Sequence, residues 1–319
     1  MADNTVFDSV FKTMVHKSPR LLVPFINEVF DRCYSTDDEL VRFSDEHDTL
    51  RGSRVDDAVF RLGDKIYHIE CQSTPDSSMV IRMVEYDFAI ALERALDGGP
   101  PYEMNFPSSC VLFLRHTSGT PDVLTMRVNL PDGGSFEYHT RVVKAQLYSS
   151  AEIFEKRLLL LLPYYLMRYE RGAAEIASSD IHTYRLLNEC SELRRNLEEM
   201  TIGTGDAELY RELTELIIKV SDHVFELEET LRKRVRGAMG GEVLDLLTDK
   251  LARAEREAAE ARERGLRQGI EQGIEQGIEQ GIDRGAESLA MHLRKLGVDQ
   301  AVIDSAVAAM RAEREVKNA

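Results

Sequence analysis

The stretch "VDDAVFRLGDKIYHIECQ", residues 55–72, decides the fold of this chain. Two runs rich in valine, isoleucine, phenylalanine and tyrosine lie on either side of the pair Gly63-Asp64. Such runs, separated by a short turn that contains glycine, are typical of a β-hairpin. The stretch therefore predicts two adjacent antiparallel strands, over 55–62 and 65–72.

The second strand of this hairpin carries a carboxylate among apolar residues. Because alternate residues of a strand share a face, His68, Glu70 and Gln72 are expected on one side of the sheet. Asp57 opens the first strand, and the hairpin could bring it beside Glu70, where two carboxylates repel each other unless a cation lies between them. Mg²⁺ is a hard ion that prefers such oxygen ligands. In the alternative interpretation, Asp57 ends a strand and Glu70 pairs with an arginine such as Arg82.

The elements around the hairpin predict an α/β domain over residues 1–148. Two short helices are expected over 5–33, and a helix over 78–97 ends at a glycine- and proline-rich stop. A buried strand over 109–116 follows, and then a second hairpin around "PDGG". This order predicts a mixed β-sheet flanked by helices.

The rest of the chain predicts helices. A helical region is expected over 149–250, followed by a tail over 251–319 with Gly-x-x-x repeats, in which glycine recurs at every fourth position from 265 to 285. Each glycine costs about 1 kcal/mol relative to alanine in a helix. Either helices pack closely along this glycine edge, so that the chain forms a homo-oligomer, or the repeat expanded by slippage and has no partner.

Composition excludes some classes of function. The net charge of −16 argues against broad, sequence-independent nucleic-acid binding, so binding to DNA would need a specific site. No apolar run approaches the roughly 18 to 20 residues that span a membrane, and the four cysteines show no disulfide or metal spacing. We therefore expect a cytoplasmic protein with reduced thiols and no membrane partner.

An ordered motif spans both strands and the helix that follows them. Its residues are Asp57, Glu70, Gln72, Ser73, Asp76, Met79, Arg82 and Tyr86. The motif resembles the Rpn family of recombination-promoting, transposase-related nucleases, a branch of the PD-(D/E)XK nuclease superfamily in which "ExQ" replaces "ExK". The opening segment "FDSVFKTMVHKSPRLLVPFINEVF" is also similar to the first helices of that family.

The resemblance implies a restriction-endonuclease-like core and a Mg²⁺-dependent DNA endonuclease that hydrolyses phosphodiester bonds, with Mn²⁺ able to replace Mg²⁺. It implies that Asp57 and Glu70 hold the metal and that Gln72 completes the catalytic set. Arg82 would bind a substrate phosphate. Asp56 is a rival for the role of Asp57, because only one of two adjacent residues can face the metal.

Several alternatives stay open. Gln72 lacks the fixed charge of a lysine, which leaves a second hypothesis: a catalytically inactive nuclease fold that acts as an oligomeric interaction or regulatory module. Arg82 and Tyr86 lie four residues apart on one helix and could instead be a structural pair. His68 could face the site or be structural, and Glu28 could add a metal contact or face solvent.

Overall fold

The computed structural model describes the backbone of most of the chain: residues 3–43, 46–49, 52–55, 58–98 and 100–317. The chain divides into two compact units, Met1–Asp245 and Leu246–Ala319. The first unit is an α/β fold built on a mixed sheet, as the sequence predicted.

Eight strands are described in the first unit. In chain order they are β1 (Leu40–Arg42), β2 (Glu46–Thr49), β3 (Gly52–Val55), β4 (Ala58–Leu62), β5 (Lys65–Gln72), β6 (Ser108–Phe113), β7 (Val123–Asn129) and β8 (Ser135–Lys144). Six of them form one sheet in the order β1-β4-β5-β6-β8-β7, and β2 pairs with β3 separately. The β5–β6 and β6–β8 pairs are parallel and the other pairs are antiparallel.

The predicted hairpin is present as β4 and β5, whose register pairs Ala58 with Ile69. Gly63 adopts a positive φ of 62° in the turn, a conformation that glycine reaches without a steric penalty. The predicted first strand was too long at its start, because Val55 belongs to β3 and pairs with β2. The sequence did not predict the β2–β3 hairpin.

Ten α-helices accompany these strands in the described residues. They are α1 (Asp3–Lys17), α2 (Leu22–Phe30), α3 (Met79–Gly98), α4 (Ser150–Glu155), α5 (Ala173–Ala177), α6 (Asp180–Thr201), α7 (Ala207–Val224), α8 (Glu229–Ala238), α9 (Gly241–Lys295) and α10 (Gln300–Lys317). A 3-10 turn that starts at Pro19 separates α1 from α2, so the predicted break between two short helices is present. None of the described helices has the length and apolarity that crossing a membrane requires.

The two faces of the sheet have different surroundings. Tyr67, Ile69 and Cys71 on β5 belong to the main hydrophobic core, which also contains buried residues of α1, α2, α6, α7 and α8. The opposite face packs against α3, where Met79 and Met83 contact a smaller apolar cluster. Alternation along β5 therefore directs its polar residues toward α3.

One helical segment differs from the sequence prediction. The region predicted to be helical over 149–250 is interrupted near its start, because α4 ends at Glu155 and Arg157 adopts a positive φ of 56°. The chain continues as a 3-10 segment, Leu159–Gly172, that contains Pro163 and nine consecutive buried residues. All of these buried residues except Pro163 belong to the main hydrophobic core, so the run is buried on all sides instead of presenting one apolar stripe.

The second unit is helical. Its α9 passes through the glycine repeat without a break, and Gly297, with a φ of 76°, separates α9 from α10. A Cβ atom added at Gly269, Gly273 or Gly277 would meet no atom within 4 Å. The isoleucines of the repeat whose side chains are described, at 270, 274 and 278, are more than half exposed.

Candidate active site

Strand β5 presents three polar side chains to α3. His68 is fully buried, Glu70 is 3% exposed and Gln72 is half-buried. Glu70 pairs in register with Val111 on the parallel strand β6, so it lies in the middle of the sheet. The predicted common face of these three residues is therefore observed, and burial of the side chains decreases along the strand toward Gln72.

The two carboxylate oxygens of Glu70 have different surroundings. Oε1 accepts a hydrogen bond of 2.5 Å from Arg82 Nη2 and a weaker one of 3.3 Å from Gln72 Nε2. Oε2 is buried and has no hydrogen-bond partner among the described residues. His68 Nε2 lies 3.9 Å from Oε2 and also has no hydrogen-bond partner among the described residues.

A second carboxylate holds His68 from the other side. Nδ1 of His68 lies 2.7 Å from Asp87 Oδ1, and the Tyr138 hydroxyl donates to Asp87 Oδ2 over 2.5 Å. Burial disfavours the charged imidazolium, but the hydrogen bond to Asp87 and the nearby Glu70 outweigh it and raise the pKa of His68 to about 10. Burial and Asp87 raise the pKa of Tyr138 as well, so its hydroxyl stays a donor.

Arg82 reaches this cluster from α3. Burial alone would lower the pKa of its guanidinium, but the Glu70 carboxylate outweighs burial and the net shift is upward. The guanidinium carbon lies 5.9 Å from the centre of the Tyr86 ring. The predicted contact between Arg82 and Glu70 is present. The Arg82 side chain is 22% exposed.

Asp76 orders the start of α3. Its carboxylate accepts hydrogen bonds from the backbone and the hydroxyl of Ser78, which lower its pKa. Met79, another motif residue, is fully buried under the sheet. Asp76 and Met79 help to position α3, and no described hydrogen bond joins either of them to Glu70.

Asp57, the predicted partner of Glu70, and its rival Asp56 lie outside the described residues. The described register of the hairpin ends at the pair Ala58–Ile69, next to Glu70 in sequence. Glu28 is paired with Lys156 at 2.6 Å, so the described contact of its side chain is an ion pair.

The side chains of the described residues determine whether a metal ion could bind beside Glu70. Among the described residues, no three histidine, cysteine, aspartate or glutamate side chains form a group that could hold a metal ion. His68 Nε2 and Glu70 Oε2 face each other at 3.9 Å, and the raised pKa of His68 makes this contact an ion pair between an imidazolium and a carboxylate. Glu70 Oε2 makes no hydrogen bond among the described residues, and a carboxylate oxygen is a ligand that divalent cations bind.

Sequence reasoning missed Asp87 and Tyr138. A signal for Asp87 was available, since an aspartate in the apolar run "YDFAIAL" of α3 is unusual on a buried helix face. Tyr138 carried no such signal, because only the pairing of β8 beside β6 brings it close to α3.

The candidate site thus consists of Glu70, Arg82 and Gln72 at its outer side and of His68 and Asp87 inside. Neither a protein-family model nor a curated protein nor a solved structure matches this chain.

Proposed function

We propose that this chain is a Mg²⁺-dependent DNA endonuclease with a restriction-endonuclease-like core, related to the recombination-promoting nucleases. The observation that carries the proposal is Glu70, a buried carboxylate on a central strand with one oxygen that makes no hydrogen bond among the described residues. The order of helices, hairpin, α3 and a parallel β6 is compatible with such a core. Recombination is the process that the sequence resemblance suggests.

In this proposal Asp57 and Glu70 hold the metal ion. Support comes from the hairpin, in which Val59 pairs with His68 and Ala58 pairs with Ile69. These pairs place Ala58, the first residue of β4, opposite the residue that precedes Glu70. A bound Mg²⁺ would stabilise the negative charge that develops on a phosphate oxygen during hydrolysis.

The chain itself supplies two polar side chains beside that carboxylate. Gln72 donates to Glu70 Oε1 and is only partly buried, so its amide can also orient a phosphate or a water molecule by hydrogen bonding. The Arg82 side chain is 22% exposed, and a guanidinium offers a fork of donors that matches phosphate geometry. We assign substrate binding to Arg82 and positioning to Gln72.

A DNA substrate must be bound locally, because the chain as a whole is acidic. We further propose a cytoplasmic location and a homo-oligomer formed through the tail. The exposed isoleucines of the repeat are compatible with self-association.

One observation favours the second candidate, an inactive nuclease fold that serves as an interaction or regulatory module. Glu70 Oε1 is already occupied by Arg82 at 2.5 Å and by Gln72. An ion pair this close satisfies part of the charge that a metal would otherwise neutralise. In this candidate the cluster only stabilises the packing of α3 on the sheet.

Plasmid nicking distinguishes the two candidates. The wild-type protein is expected to nick supercoiled DNA with Mg²⁺ or Mn²⁺ and to lose this activity with EDTA. Asp57→Ala and Glu70→Ala should each lower the rate by at least about 100-fold, the scale of removing a charge-stabilising group. Glu175→Ala, an exposed position on α5, is the matched control and should retain wild-type activity.

Equal nicking by the wild type, both site variants and the control would indicate a contaminating nuclease. If all four folded proteins lack activity with either metal, the inactive-fold candidate replaces the proposal.

A further inference from the structure

A partly buried ion pair lies next to the end of the strand that carries Glu70. Arg115 follows β6 by two residues, and its guanidinium forms a fork with Glu170, in which Nε donates to Oε2 and Nη2 donates to Oε1, each over 2.6 Å. The two side chains are 14% and 28% exposed, so water and salt screen this pair less than a surface pair. A fork of two hydrogen bonds fixes the direction of the guanidinium as well as its distance.

Two further contacts hold the Arg115 side chain. Its guanidinium carbon lies 4.9 Å from the centre of the Phe7 ring, which belongs to the main hydrophobic core. The Phe7 carbonyl accepts a hydrogen bond of 3.1 Å from the Tyr164 hydroxyl. Tyr164 and Glu170 both belong to the 3-10 segment, so one element supports the ring beneath the guanidinium and the carboxylate at its edge.

Arg115 is joined to the end of β5 through the backbone. The last pair of the parallel β5–β6 ladder is Gln72 with Phe113. Beyond it, Leu114 N donates to Gln72 O over 2.9 Å, and Arg115 N donates to Ser73 O over 3.2 Å. Arg115 Nη1 lies 3.5 Å from the same Ser73 carbonyl oxygen. The peptide groups that carry the Gln72 side chain are therefore held by β6 and, through Arg115, by the 3-10 segment.

The Gln72 side chain depends on this backbone for its position. Its Nε2 donates to Glu70 Oε1 over 3.3 Å, which is a long and weak hydrogen bond, and Arg82 binds the same oxygen over 2.5 Å. The amide of Gln72 can orient a phosphate or a water molecule only while the strand end stays fixed. A displacement of about 1 Å in an active site can lower a rate by roughly 100-fold.

We infer that Glu170, acting through Arg115, is a positioning residue that fixes Gln72 in the proposed nuclease. This inference rests on the proposed function. It gives the end of the 3-10 segment a role in the site, although Gln72 faces α3 and the guanidinium of Arg115 packs on the main core.

The test measures plasmid nicking and amide hydrogen exchange of the full-length protein. Glu170→Gln keeps the size of the side chain and removes the charge and one acceptor of the fork. We expect kcat to fall by about 10- to 100-fold, the scale of a misplaced active-site group, with the KM for plasmid DNA unchanged within about twofold. The Leu114 amide, which donates to Gln72 O, should exchange at least about tenfold faster, because the strand end opens more often.

A double-variant cycle separates positioning of Gln72 from a general loss of stability. In a Gln72→Ala background, Glu170→Gln should lower kcat by less than about twofold, because the side chain that Glu170 positions is already absent. An equal fold loss of kcat in both backgrounds would overturn the inference, and so would unchanged exchange of the Leu114 amide.

Glu137→Gln is the matched control. Glu137 also accepts two hydrogen bonds from one arginine, Arg127, over 3.1 and 2.7 Å, but these two side chains are 42% and 64% exposed. Its substitution should leave kcat and the exchange of the Leu114 amide unchanged.

If Glu170→Gln does not fold, Arg115→Lys takes its place, because lysine keeps the positive charge and cannot form the fork. The same losses are expected of it, alone and in the Gln72→Ala background. A folded wild type that does not nick DNA with Mg²⁺ or Mn²⁺ would overturn the proposed function and this inference together. A wild type that nicks DNA, with a Glu170→Gln variant of equal kcat, would overturn the inference alone.

Discussion

At the scale of single residues, Glu70 affects both the stability of the fold and the proposed chemistry. A buried carboxylate must be compensated: Arg82 and Gln72 donate hydrogen bonds to Oε1, whereas Oε2 has only the His68 imidazolium, 3.9 Å away and without a hydrogen bond. Stability alone would favour satisfying both oxygens. The unequal treatment of the two oxygens is the physical reason for assigning a ligand to this place.

The Arg82–Glu70 contact makes a stability prediction. Arg82→Ala should lower the free energy of unfolding by about 2 kcal/mol, because Glu70 loses its strongest donor and stays buried. Urea denaturation of the full-length protein measures the change.

Arg127→Ala is the control for that measurement. Arg127 pairs with Glu137, but both side chains are more than 40% exposed, so the loss should stay below about 0.5 kcal/mol. Equal losses of unfolding free energy in Arg82→Ala and Arg127→Ala would mean that burial does not strengthen the Arg82–Glu70 pair.

Much of the outer site could be predicted from residues alone. The alternation on β5 placed His68, Glu70 and Gln72 on one face, and Arg82 was named as a partner of Glu70. The inner site could not be predicted, because Asp87 meets Tyr138 only through strand order. Whether Asp57 faces Glu70 remains a prediction, since Asp57 lies outside the described residues.

At the scale of elements, α3 is held to the sheet by a mixed layer. Met79 and Met83 bury apolar surface against β6 and β8, while Asp87 connects α3 to Tyr138. Local patterns predicted α3 and the β4–β5 hairpin, because their signals lie within a few residues. The β2–β3 hairpin and the 3-10 segment were missed, since short polar strands and buried proline-containing runs lack a clear period.

The polar part of this layer can be tested with one hydroxyl group. Tyr138→Phe keeps the ring but leaves Asp87 Oδ2 without its donor, so the free energy of unfolding should fall by about 1–3 kcal/mol. Thermal and urea denaturation measure the effect.

Tyr184→Phe is the matched change on an exposed ring, which is 64% accessible, and should alter stability by no more than about 0.5 kcal/mol. A Tyr138→Phe variant as stable as the wild type would show that Asp87 finds another donor.

At the scale of the whole molecule, the helical tail raises the question of oligomer formation. A period of four residues advances by about 40° per repeat relative to the helical turn, so the exposed isoleucines form a stripe that winds around α9. A Cβ atom added at Gly269, Gly273 or Gly277 would lie in open space, so no described neighbour requires glycine at these three positions.

Substitution of Gly269, Gly273 and Gly277 by alanine separates the two interpretations of the repeat. If copies of the chain pack along the glycine edge, the added methyl groups should lower the oligomeric mass in light scattering even though alanine favours the helix. Deletion of residues 265–285 should lower the mass as well.

If the repeat has no partner, the alanine variant should keep the wild-type mass, and its helix should melt at a higher temperature. That result would leave slippage as the origin of the repeat and remove the support for a homo-oligomer.

The free cysteines have a practical consequence. Cys71, Cys110 and Cys190 are buried, and burial raises the pKa of the Cys190 thiol to about 12, whereas Cys33 is exposed after α2. A maleimide dye would therefore attach to one place on the native protein without any engineered change. That place precedes Tyr34, whose hydroxyl contacts Tyr67 on β5. Fluorescence from such a label would report on the strand that carries Glu70.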